Sequence, residues 1–457
     1  MRTLFAPSAL LPDGWAQQVV ITLDEAGTFA AISAGASPDG AERLAGPVLP
    51  GMTDVHSHAF QRAMAGLTER RGPTGDDHFW TWREIMYRFL ARLSPDDVEA
   101  IAAHLCISLL KGGFTTLAEF HYLQADPDGR PYVEPGEMGL RIIEAARRSG
   151  MALTLLPSLY RQGGFGTPHT GGQKRFVLDD AALSASLARF RREAAHDRLL
   201  RVGLAPHSLR AAALGDIARW VATVRAEDAA APIHIHAAEQ PREVAECLAA
   251  TGRRPVGLIL EALPVDERWC LIHATHLAPE EIDGLAASGA VAGLCPTTEA
   301  NLGDGVFPLP RYLEQQGRFA IGTDSHVGVA AAEELRSLEA SQRLATLRRA
   351  VATTPEEPSA GTLLWRRAAE AGAAVCNQPA GAIAPGRRAD LVVLDGASPF
   401  LAGRTGALAA DTLVFAGGSD LVRDVMVGGT WVVRDKHHRD EERAEAAFAA
   451  TMRRLLA

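Results

Sequence analysis

The sequence contains little cysteine, and no two cysteines form a CxxC pair. Five cysteines are spread over 457 residues. An odd, dispersed set is typical of reduced and buried thiols, and not of a small secreted scaffold held together by disulfides. We therefore expect free thiols inside a folded core, at Cys106, Cys247, Cys270, Cys295 and Cys376.

The chain also lacks an excess of positive charge and any long apolar run. Its formal net charge is -9, whereas a protein that binds a nucleic-acid backbone needs a basic surface. Apolar runs such as residues 290–295 fall far short of the roughly 20 residues that a membrane-spanning helix needs. The N-terminal residues do not resemble a signal peptide. These absences argue against nucleic acid and membranes as partners, and they predict a cytoplasmic protein.

Residues 48–380 repeat one pattern, in which short apolar runs alternate with longer amphipathic stretches. Such a pattern is typical of βα units, and eight of them predict an α/β fold, a (β/α)8 barrel like that of triosephosphate isomerase (TIM). The eight apolar runs occupy residues 48–56, 113–120, 152–158, 199–205, 232–237, 269–274, 290–295 and 319–324.

The two ends of the chain have a different character. Residues 1–47 contain strand-like runs separated by Pro-Asp-Gly turns, and residues 381–457 contain further runs at 389–395, 412–417 and 422–435, followed by a polar helix at 440–456. Neither end alone has enough strands to bury a core. We therefore predict that residues 1–47 and 381–457 form one small β-sandwich domain beside a catalytic barrel of residues 48–380.

Between the predicted strands, the connecting segments differ. Residues 78–93 have apolar residues at helical spacing, and Ser94 followed by Pro95 predicts the start of a second helix that ends near residue 113. Residues 161–180 are glycine-rich and irregular. A long irregular loop at a barrel mouth is commonly used to contact substrate.

Histidines and acidic residues recur where the predicted strands end. His56 and His58 lie two residues apart at the end of the first strand, so both side chains point the same way. His236 ends the fifth strand, His273 the sixth and Asp324 the eighth, with Glu239 just after the fifth. In a (β/α)8 barrel these carboxyl ends meet at one mouth, where the active site lies.

Three neutral imidazoles and one carboxylate form a Zn²⁺ site that leaves space for water and substrate. We predict that His56, His58, His236 and Asp324 bind one metal ion per chain, and that Glu239, His273 and Asp324 act in acid-base and electrostatic catalysis. Fe²⁺, Mn²⁺ and Ni²⁺ accept the same donors. The alternative is that the histidines belong to a packed core or to a closed structural metal site.

Several motifs now indicate a family. The segments PGMTDVHSH (50–58), HAAE (236–239) and GTD (322–324), together with His273, resemble the amidohydrolase superfamily, and the resemblance covers nearly the whole chain. The segment PGRRADLVVLD (385–395) resembles the family's return into its β-sandwich. Members with two metals bridge them through a lysine on the fourth strand. The only lysines here are Lys111, Lys174 and Lys436, so the resemblance is to the mononuclear deaminase branch.

Within that superfamily, five segments are most similar to the formimidoylglutamate deiminase subfamily: HSHAFQRAMAGLTER (56–70), FWTWREIMY (79–87), EFHYL (119–123), APHSLR (205–210) and TDSHV (323–327). The resemblance implies hydrolysis of N-formimidoyl-L-glutamate to N-formyl-L-glutamate and ammonia, in histidine degradation. It also implies a homodimer. A substrate with two carboxylates needs local donors, for which we select Gln61, Arg83, Tyr122, His207 and Arg210.

Alternatives remain open for some residues and for the function. Trp80 and Trp82 fit helix packing as well as ligand contact, Arg83 fits a helix cap or a surface ion pair, and His326 fits either a pocket wall or a partner of Asp324. A deaminase of guanine or another heterocycle, or a chlorohydrolase-like enzyme, has the same architecture. A non-catalytic barrel scaffold is the more distant alternative.

Overall fold

The computed structural model describes residues 1–70 and 78–457 of the chain. Its strands are β1 (Arg2–Leu11), β2 (Gly14–Leu23), β3 (Phe29–Ser33), β4 (Glu42–Arg43), β5 (Val48–Pro50), β6 (Met52–Ser57), β7 (Phe114–His121), β8 (Ala152–Leu159), β9 (Leu200–Val202), β10 (Ala205–Pro206), β11 (Ile233–Ala237), β12 (Trp269–His273), β13 (Val291–Leu294), β14 (Arg318–Ile321), β15 (Leu391–Leu394), β16 (Val422–Val427), β17 (Thr430–Arg434) and β18 (His437–His438).

The α-helices of the described residues lie mostly between the barrel strands. They are α1 (Phe79–Leu90), α2 (Pro95–Lys111), α3 (Glu137–Ser149), α4 (Asp180–Ala194), α5 (Leu214–Glu227), α6 (Pro241–Thr251), α7 (Pro255–Ala262), α8 (Pro279–Ser288), α9 (Pro296–Leu302), α10 (Leu309–Glu314), α11 (Ala331–Thr346), α12 (Ala360–Val375), α13 (Ala407–Thr412) and α14 (Glu441–Leu456). None of these helices combines the length and the apolar character needed to cross a membrane.

Strands β6 to β14 form the predicted parallel barrel. Each strand pairs in parallel with the next, from β6 through β8 and from β11 through β14. The fourth position is shared by β9 and β10, which both pair with β8, and a parallel bridge from Leu204 to Ile233 joins this position to β11. A second parallel bridge, from Ser57 to Asp324, closes the ring. The barrel therefore brings the carboxyl ends of eight strand positions to one mouth.

The strands of the two chain ends form one sheet. In the part of the chain that the structure describes, its order is β18-β17-β16-β15-β5-β1-β2-β3, with β4 beside β1. Strand β5 lies between β1 and β15, so Val48–Pro50 belong to this sheet and not to the barrel. The sheet encloses its own apolar core, which includes Leu4, Val19, Ile21, Val48, Leu391, Val393 and Met426.

Gly51 separates the sheet strand β5 from the first barrel strand β6. A Cβ atom at this position would lie 2.3 Å from Thr115 Oγ1, so no side chain fits. The sheet and the barrel are also joined through Arg388, whose Nη2 donates to Thr116 Oγ1 on β7 at 2.8 Å and to Asp390 Oδ2 at 2.6 Å. These buried polar contacts fix the chain-end sheet against the barrel wall.

Several local predictions are confirmed, whereas the placement of residues 48–50 in the barrel and the strand at residues 412–417 are wrong. Ser94 caps α2, its Oγ accepting from the Asp97 amide at 3.3 Å, and all five cysteines are buried free thiols. Residues 412–417, which the sequence analysis reads as a strand, are helical: α13 continues into a π-helical segment, Leu413–Gly417. The reason is packing, since Leu413 and Val414 are buried and this segment packs against α11 and α12.

Candidate active site

The carboxyl ends of the barrel strands surround a cavity of about 570 Å³. Ten of the eleven predicted site residues line it, and the remaining one, His56, is fully buried beneath its floor. The ten residues are His58, Gln61, Arg83, Tyr122, His207, Arg210, His236, Glu239, His273 and Asp324.

Four of these side chains converge at the bottom of the cavity. His56 Nε2 lies 3.1 Å from His236 Nε2. Asp324 Oδ1 lies 3.5 Å from the Nε2 atoms of both His56 and His58. The close approach of β14 to β6 requires Gly322, because a Cβ there would lie 2.7 Å from His56 Cβ. Potential ligand atoms of the described residues lie within 4.8 Å of one another in two groups that share His56: His56 with His58 and Asp324, and His56 with His236 and His273.

Backbone carbonyls determine which nitrogen of two histidines faces the cavity. His58 Nδ1 donates to the Phe120 carbonyl at 2.9 Å, and His236 Nδ1 donates to the His207 carbonyl at 2.8 Å. Burial lowers the pKa of His58 to about 4 and that of His236 well below its usual range, so both rings are neutral. The Nε2 lone pair of His58 therefore faces Asp324 Oδ1 at 3.5 Å, and that of His236 faces His56 Nε2 at 3.1 Å. This donor set fits a divalent cation such as Zn²⁺.

His273 and Glu239 lie beside this cluster. His273 Nε2 is 3.7 Å from Glu239 Oε1 and 3.8 Å from Asp324 Oδ2. Burial disfavours the charged ring, but Glu239, Glu299 and Asp324 outweigh it and raise the pKa of His273 to about 10. Burial also raises the pKa of Glu239, against the opposing effect of His273 and Arg210. The arrangement places a proton donor and a proton acceptor against the same cavity wall.

The backbone is strained at two of these residues. His273 has φ +66° and Asp324 has φ +49°, in the left-handed region that residues with a side chain seldom adopt. Such strain persists only where the surrounding structure holds it, and it is frequent at active sites. Each side chain leaves the end of its strand and turns into the cavity.

Two arginines supply positive charge to the upper part of the cavity. Arg210 Nη2 lies 3.7 Å from Glu239 Oε2, and the Arg83 guanidinium stacks on Trp80 and Tyr87 at 4.6 and 5.6 Å. Within residues 1–70 and 78–457, the buried Nε atoms of Arg83 and Arg210 have no hydrogen-bond partner. Buried cationic donors without partners indicate a place for an anionic ligand.

The remaining predicted substrate contacts surround the same space. Gln61 Nε2 donates to the Tyr122 hydroxyl at 2.8 Å, and the ring of His207 lies 5.7 Å from that of Tyr122. The rest of the aromatic wall is formed by Phe79, Trp82, Tyr87, Tyr160 and Phe176. Of these, the sequence had raised ligand contact only for Trp82, and the other four were missed. Tyr160 directly follows β8, and this position at a strand end is the signal that points to it.

Trp80 lies at an outer cavity of about 910 Å³ that shares Arg83 and Arg210 with the inner one. The guanidinium groups of Arg83, Arg210 and Arg242 lie 4.6, 5.7 and 4.3 Å from the Trp80 ring. Residues of the glycine-rich loop, including Phe165, line its other side. Trp80 therefore contacts arginines at the mouth, whereas Trp82 lines the inner cavity.

Two further histidines lie behind the inner cavity. His234 Nδ1 donates to the Val55 carbonyl at 3.1 Å inside the barrel. His326 bonds through Nδ1 with Thr323 Oγ1 at 2.7 Å and through Nε2 with Ser57 Oγ at 3.1 Å. Neither ring lines the cavity, so His326 braces the segment that carries Asp324.

Comparison with known proteins agrees with this geometry. Residues 48–432 match the model of the amidohydrolase family. The chain belongs to the amidohydrolase family. Residues 1–46 match a second model, described as the N-terminal domain of formimidoylglutamate deiminase HutF. The two matches account for the barrel and for most of the chain-end sheet, so the predicted family is confirmed.

Individual amidohydrolase relatives support the same placement. A formimidoylglutamate deiminase of Pseudomonas aeruginosa is 50% identical over 459 residues, with 100% of both chains covered. A 5-methylthioadenosine/S-adenosylhomocysteine deaminase of Natronomonas pharaonis is 28% identical, covering 86% of this chain and 82% of that protein. The first likeness spans the chain-end sheet as well as the barrel.

Solved structures confirm the fold. The crystal structure of an amidohydrolase from Brucella melitensis superposes with a TM-score of 0.93 at 42% identity, covering 100% of both chains. An adenosine deaminase from Xanthomonas campestris with bound zinc superposes with a TM-score of 0.82 at 19% identity, covering 99% of this chain and 97% of that one.

Proposed function

We propose that this protein hydrolyses N-formimidoyl-L-glutamate to N-formyl-L-glutamate and ammonia, a step of histidine degradation. The observation that carries the proposal is a pair of arginines, Arg83 and Arg210, above a cluster of histidines and Asp324. Their buried Nε atoms have no hydrogen-bond partner in the described chain. The cationic groups match the two carboxylates of this substrate. The full-length identity of 50% to a formimidoylglutamate deiminase supports the same assignment.

The proposal includes one Zn²⁺ per chain, bound by His56, His58, His236 and Asp324. These residues supply three nitrogen donors and one oxygen donor, and two of the rings are held by carbonyls so that Nε2 faces the centre. Fe²⁺, Mn²⁺ and Ni²⁺ also accept such donors. When bound, the metal ion polarises water and substrate, and it thereby supplies a nucleophile at neutral pH.

The substrate carboxylates bind to the donors of the upper cavity. Arg210 lies next to Glu239, so a carboxylate bound by its guanidinium fork lies near the acid-base group. Arg83, Gln61, Tyr122 and His207 are further donors at the same mouth. The aromatic wall around them excludes bulk water, which strengthens each charge-assisted hydrogen bond.

Glu239, His273 and Asp324 move and hold the protons. Water adds to the formimidoyl carbon, and the bond from that carbon to the terminal nitrogen breaks. Asp324 or Glu239 accepts a proton from the attacking water, and Glu239 delivers a proton to the departing nitrogen so that ammonia leaves. His273 Nε2, which faces both carboxylates, stabilises the charge that develops on the oxygen.

The test is ammonia release from N-formimidoyl-L-glutamate by the metal-replete full chain. We expect turnover of this substrate and none of guanine or 5-methylthioadenosine, because a neutral heterocycle leaves the two arginines unpaired. Preferential turnover of a heterocycle or of a chlorinated triazine would overturn the assignment within the family. A protein without bound metal and without activity on the whole panel would instead be a scaffold.

The cellular setting belongs to the same proposal. We propose a cytoplasmic homodimer, for which sedimentation velocity and cell fractionation are the measurements. A small amidine with two carboxylates is its only partner in this proposal besides a second copy of the chain.

A further inference from the structure

Glu299 is a buried carboxylate behind His273 that the sequence analysis did not single out. It lies in the first turn of α9, four residues after Cys295 at the end of the seventh barrel strand. Its Oε1 accepts from His273 Nδ1 at 3.2 Å and from the Cys295 amide at 2.9 Å. The residue is 5% exposed and does not line the cavity.

The hydrogen bond to Glu299 orients the His273 ring. A carboxylate oxygen only accepts, so Nδ1 carries the hydrogen. Nε2 then points to the opposite side, toward Glu239 Oε1 at 3.7 Å and Asp324 Oδ2 at 3.8 Å. In the described part of the chain Nε2 has no hydrogen-bond partner. The imidazole ring of His273 therefore lies between Glu299 and the centre of the cavity.

Glu299 is itself held firmly. The Cys295 amide binds the oxygen that His273 contacts, and the Glu299 carbonyl accepts from the Asp304 amide at 2.9 Å. A neutral side chain would satisfy the Cys295 amide at lower cost, because a carboxylate loses its hydration when it is buried. The Glu299 carboxylate therefore does more than bind the Cys295 amide, and its other contact is His273.

We propose that Glu299 is a positioning residue for the hydrolysis, which fixes the Nδ1 hydrogen and the orientation of His273 so that Nε2 faces the reacting carbon. This inference rests on the proposed function. It adds to the eleven predicted site residues one that acts through His273 without touching the substrate.

The experiment is a double-substitution cycle that uses the metal-replete full chain and N-formimidoyl-L-glutamate. Glu299→Met removes the acceptor, and we expect kcat to fall by about 10²-fold or more, with KM within about threefold and metal content unchanged. Glu299→Gln keeps an acceptor oxygen in the same place and loses less. In a protein that already carries His273→Asn, we expect Glu299→Met to change kcat by less than about threefold, because the imidazole that Glu299 positions is no longer present.

Equal losses of kcat from Glu299→Met in both backgrounds would make Glu299 a general packing residue and overturn the proposal, as would parental kcat in the single variant. Glu334→Gln is the matched control. Glu334 is also a buried carboxylate, bound by Thr297 N at 3.0 Å and Oγ1 at 2.5 Å. We expect little change in kcat there.

A spectroscopic measurement covers the case in which Glu299→Met does not fold. In the NMR spectrum of histidine-labelled protein, the Nδ1–H signal of His273 is the one that disappears in His273→Asn. We expect Glu299→Gln to shift this signal, since a neutral acceptor binds less strongly. An unchanged signal would contradict the inferred hydrogen bond. This readout needs no turnover, so a failure of the proposed substrate is distinguishable from a failure of the positioning role.

Discussion

Glu239 touches both His273 and Arg210, and this position suits the transfer of protons in the proposed reaction. Replacing it by glutamine keeps the shape but removes the proton acceptor. We expect Glu239→Gln to retain its metal and to lose kcat by about 10²-fold or more. Metal analysis and steady-state kinetics check both parts.

The control for Glu239→Gln is Glu261→Gln, the same change at an exposed residue that pairs with Arg253. We expect parental turnover there. Loss of metal from Glu239→Gln would make Glu239 a ligand, and near-parental kcat would remove it from the mechanism.

Arg210 provides the second prediction at this scale. Arg210→Met removes the donors but keeps much of the apolar stem, and charge-assisted hydrogen bonds contribute about 1.5 to 3 kcal/mol each. We expect kcat/KM for N-formimidoyl-L-glutamate to fall by about 10²-fold or more, with unchanged metal content. Arg210→Lys should retain only part of the parental kcat/KM, because an ammonium group lacks the planar fork of a guanidinium.

The matched control is Arg219→Met, which removes an exposed guanidinium that pairs with Asp180 and Asp216. It should leave kcat/KM unchanged. A kcat/KM of Arg210→Met close to that of the parent would show that Arg210 does not bind a substrate carboxylate.

The site residues that could be predicted from the sequence are those whose positions follow from the barrel topology. His56, His236, His273 and Asp324 are each near the end of a strand, where period-two geometry and parallel topology determine direction. Glu299 escaped because its role depends on a contact between α9 and β12 that no spacing in the chain reveals. The aromatic wall escaped for the same reason, since Tyr87 and Phe176 come from segments far apart in sequence.

At the scale of elements, α1 carries Trp80, Trp82 and Arg83 to the mouth of the cavity. Trp80 holds three guanidinium groups, and a cation–π contact contributes about 0.5 to 2 kcal/mol, depending on exposure. We expect Trp80→Leu to raise KM by roughly three- to tenfold, with a smaller effect on kcat and an unchanged Tm.

Trp431→Leu is the control for Trp80→Leu. Trp431 lies in the chain-end sheet, where Arg2 and Arg434 stack on it at 5.5 and 4.4 Å. It loses the same kind of contact far from the cavity, so KM should not change. Equal KM values for Trp80→Leu and the parent would show that this stacking does not organise the mouth.

Elements were easier to predict where periodicity and end signals agreed. The Ser94 and Pro95 signals predicted the start of α2 correctly. The strand prediction for residues 412–417 was wrong because a short apolar run fits a strand or a buried helix equally well. Contacts with α11 and α12, which lie far away in the sequence, decided for a helix.

At the scale of the whole molecule, the four candidate ligands connect strands on opposite sides of the barrel. His56 and His58 come from β6 and its end, His236 from β11, and Asp324 follows β14. A metal ion bound to all four links the two halves of the ring, each held within by its own parallel ladder. A ligand that binds only the folded state stabilises it by an amount that grows with the logarithm of the ratio of free ligand concentration to Kd.

We therefore expect purified protein to carry about one tightly bound divalent metal per chain. Removing it with a chelator should abolish turnover and lower Tm, because a metal present at about 1,000 times its Kd contributes about 4 kcal/mol to the folded state. One equivalent of Zn²⁺ should restore both. Elemental analysis, ammonia release and calorimetry on the same samples measure the three quantities.

His56→Ala and His234→Ala separate the metal from the packing of the barrel. Both histidines are fully buried, but the ring of His56 faces the ligand cluster, whereas that of His234 bonds to the Val55 carbonyl. Both variants lose packing, so Tm should fall in both. Only His56→Ala should also lose the metal, and added Zn²⁺ should then no longer raise its Tm. A stoichiometry near two, with both ions required for turnover, would contradict the mononuclear site, since the fourth strand supplies no lysine to bridge a pair.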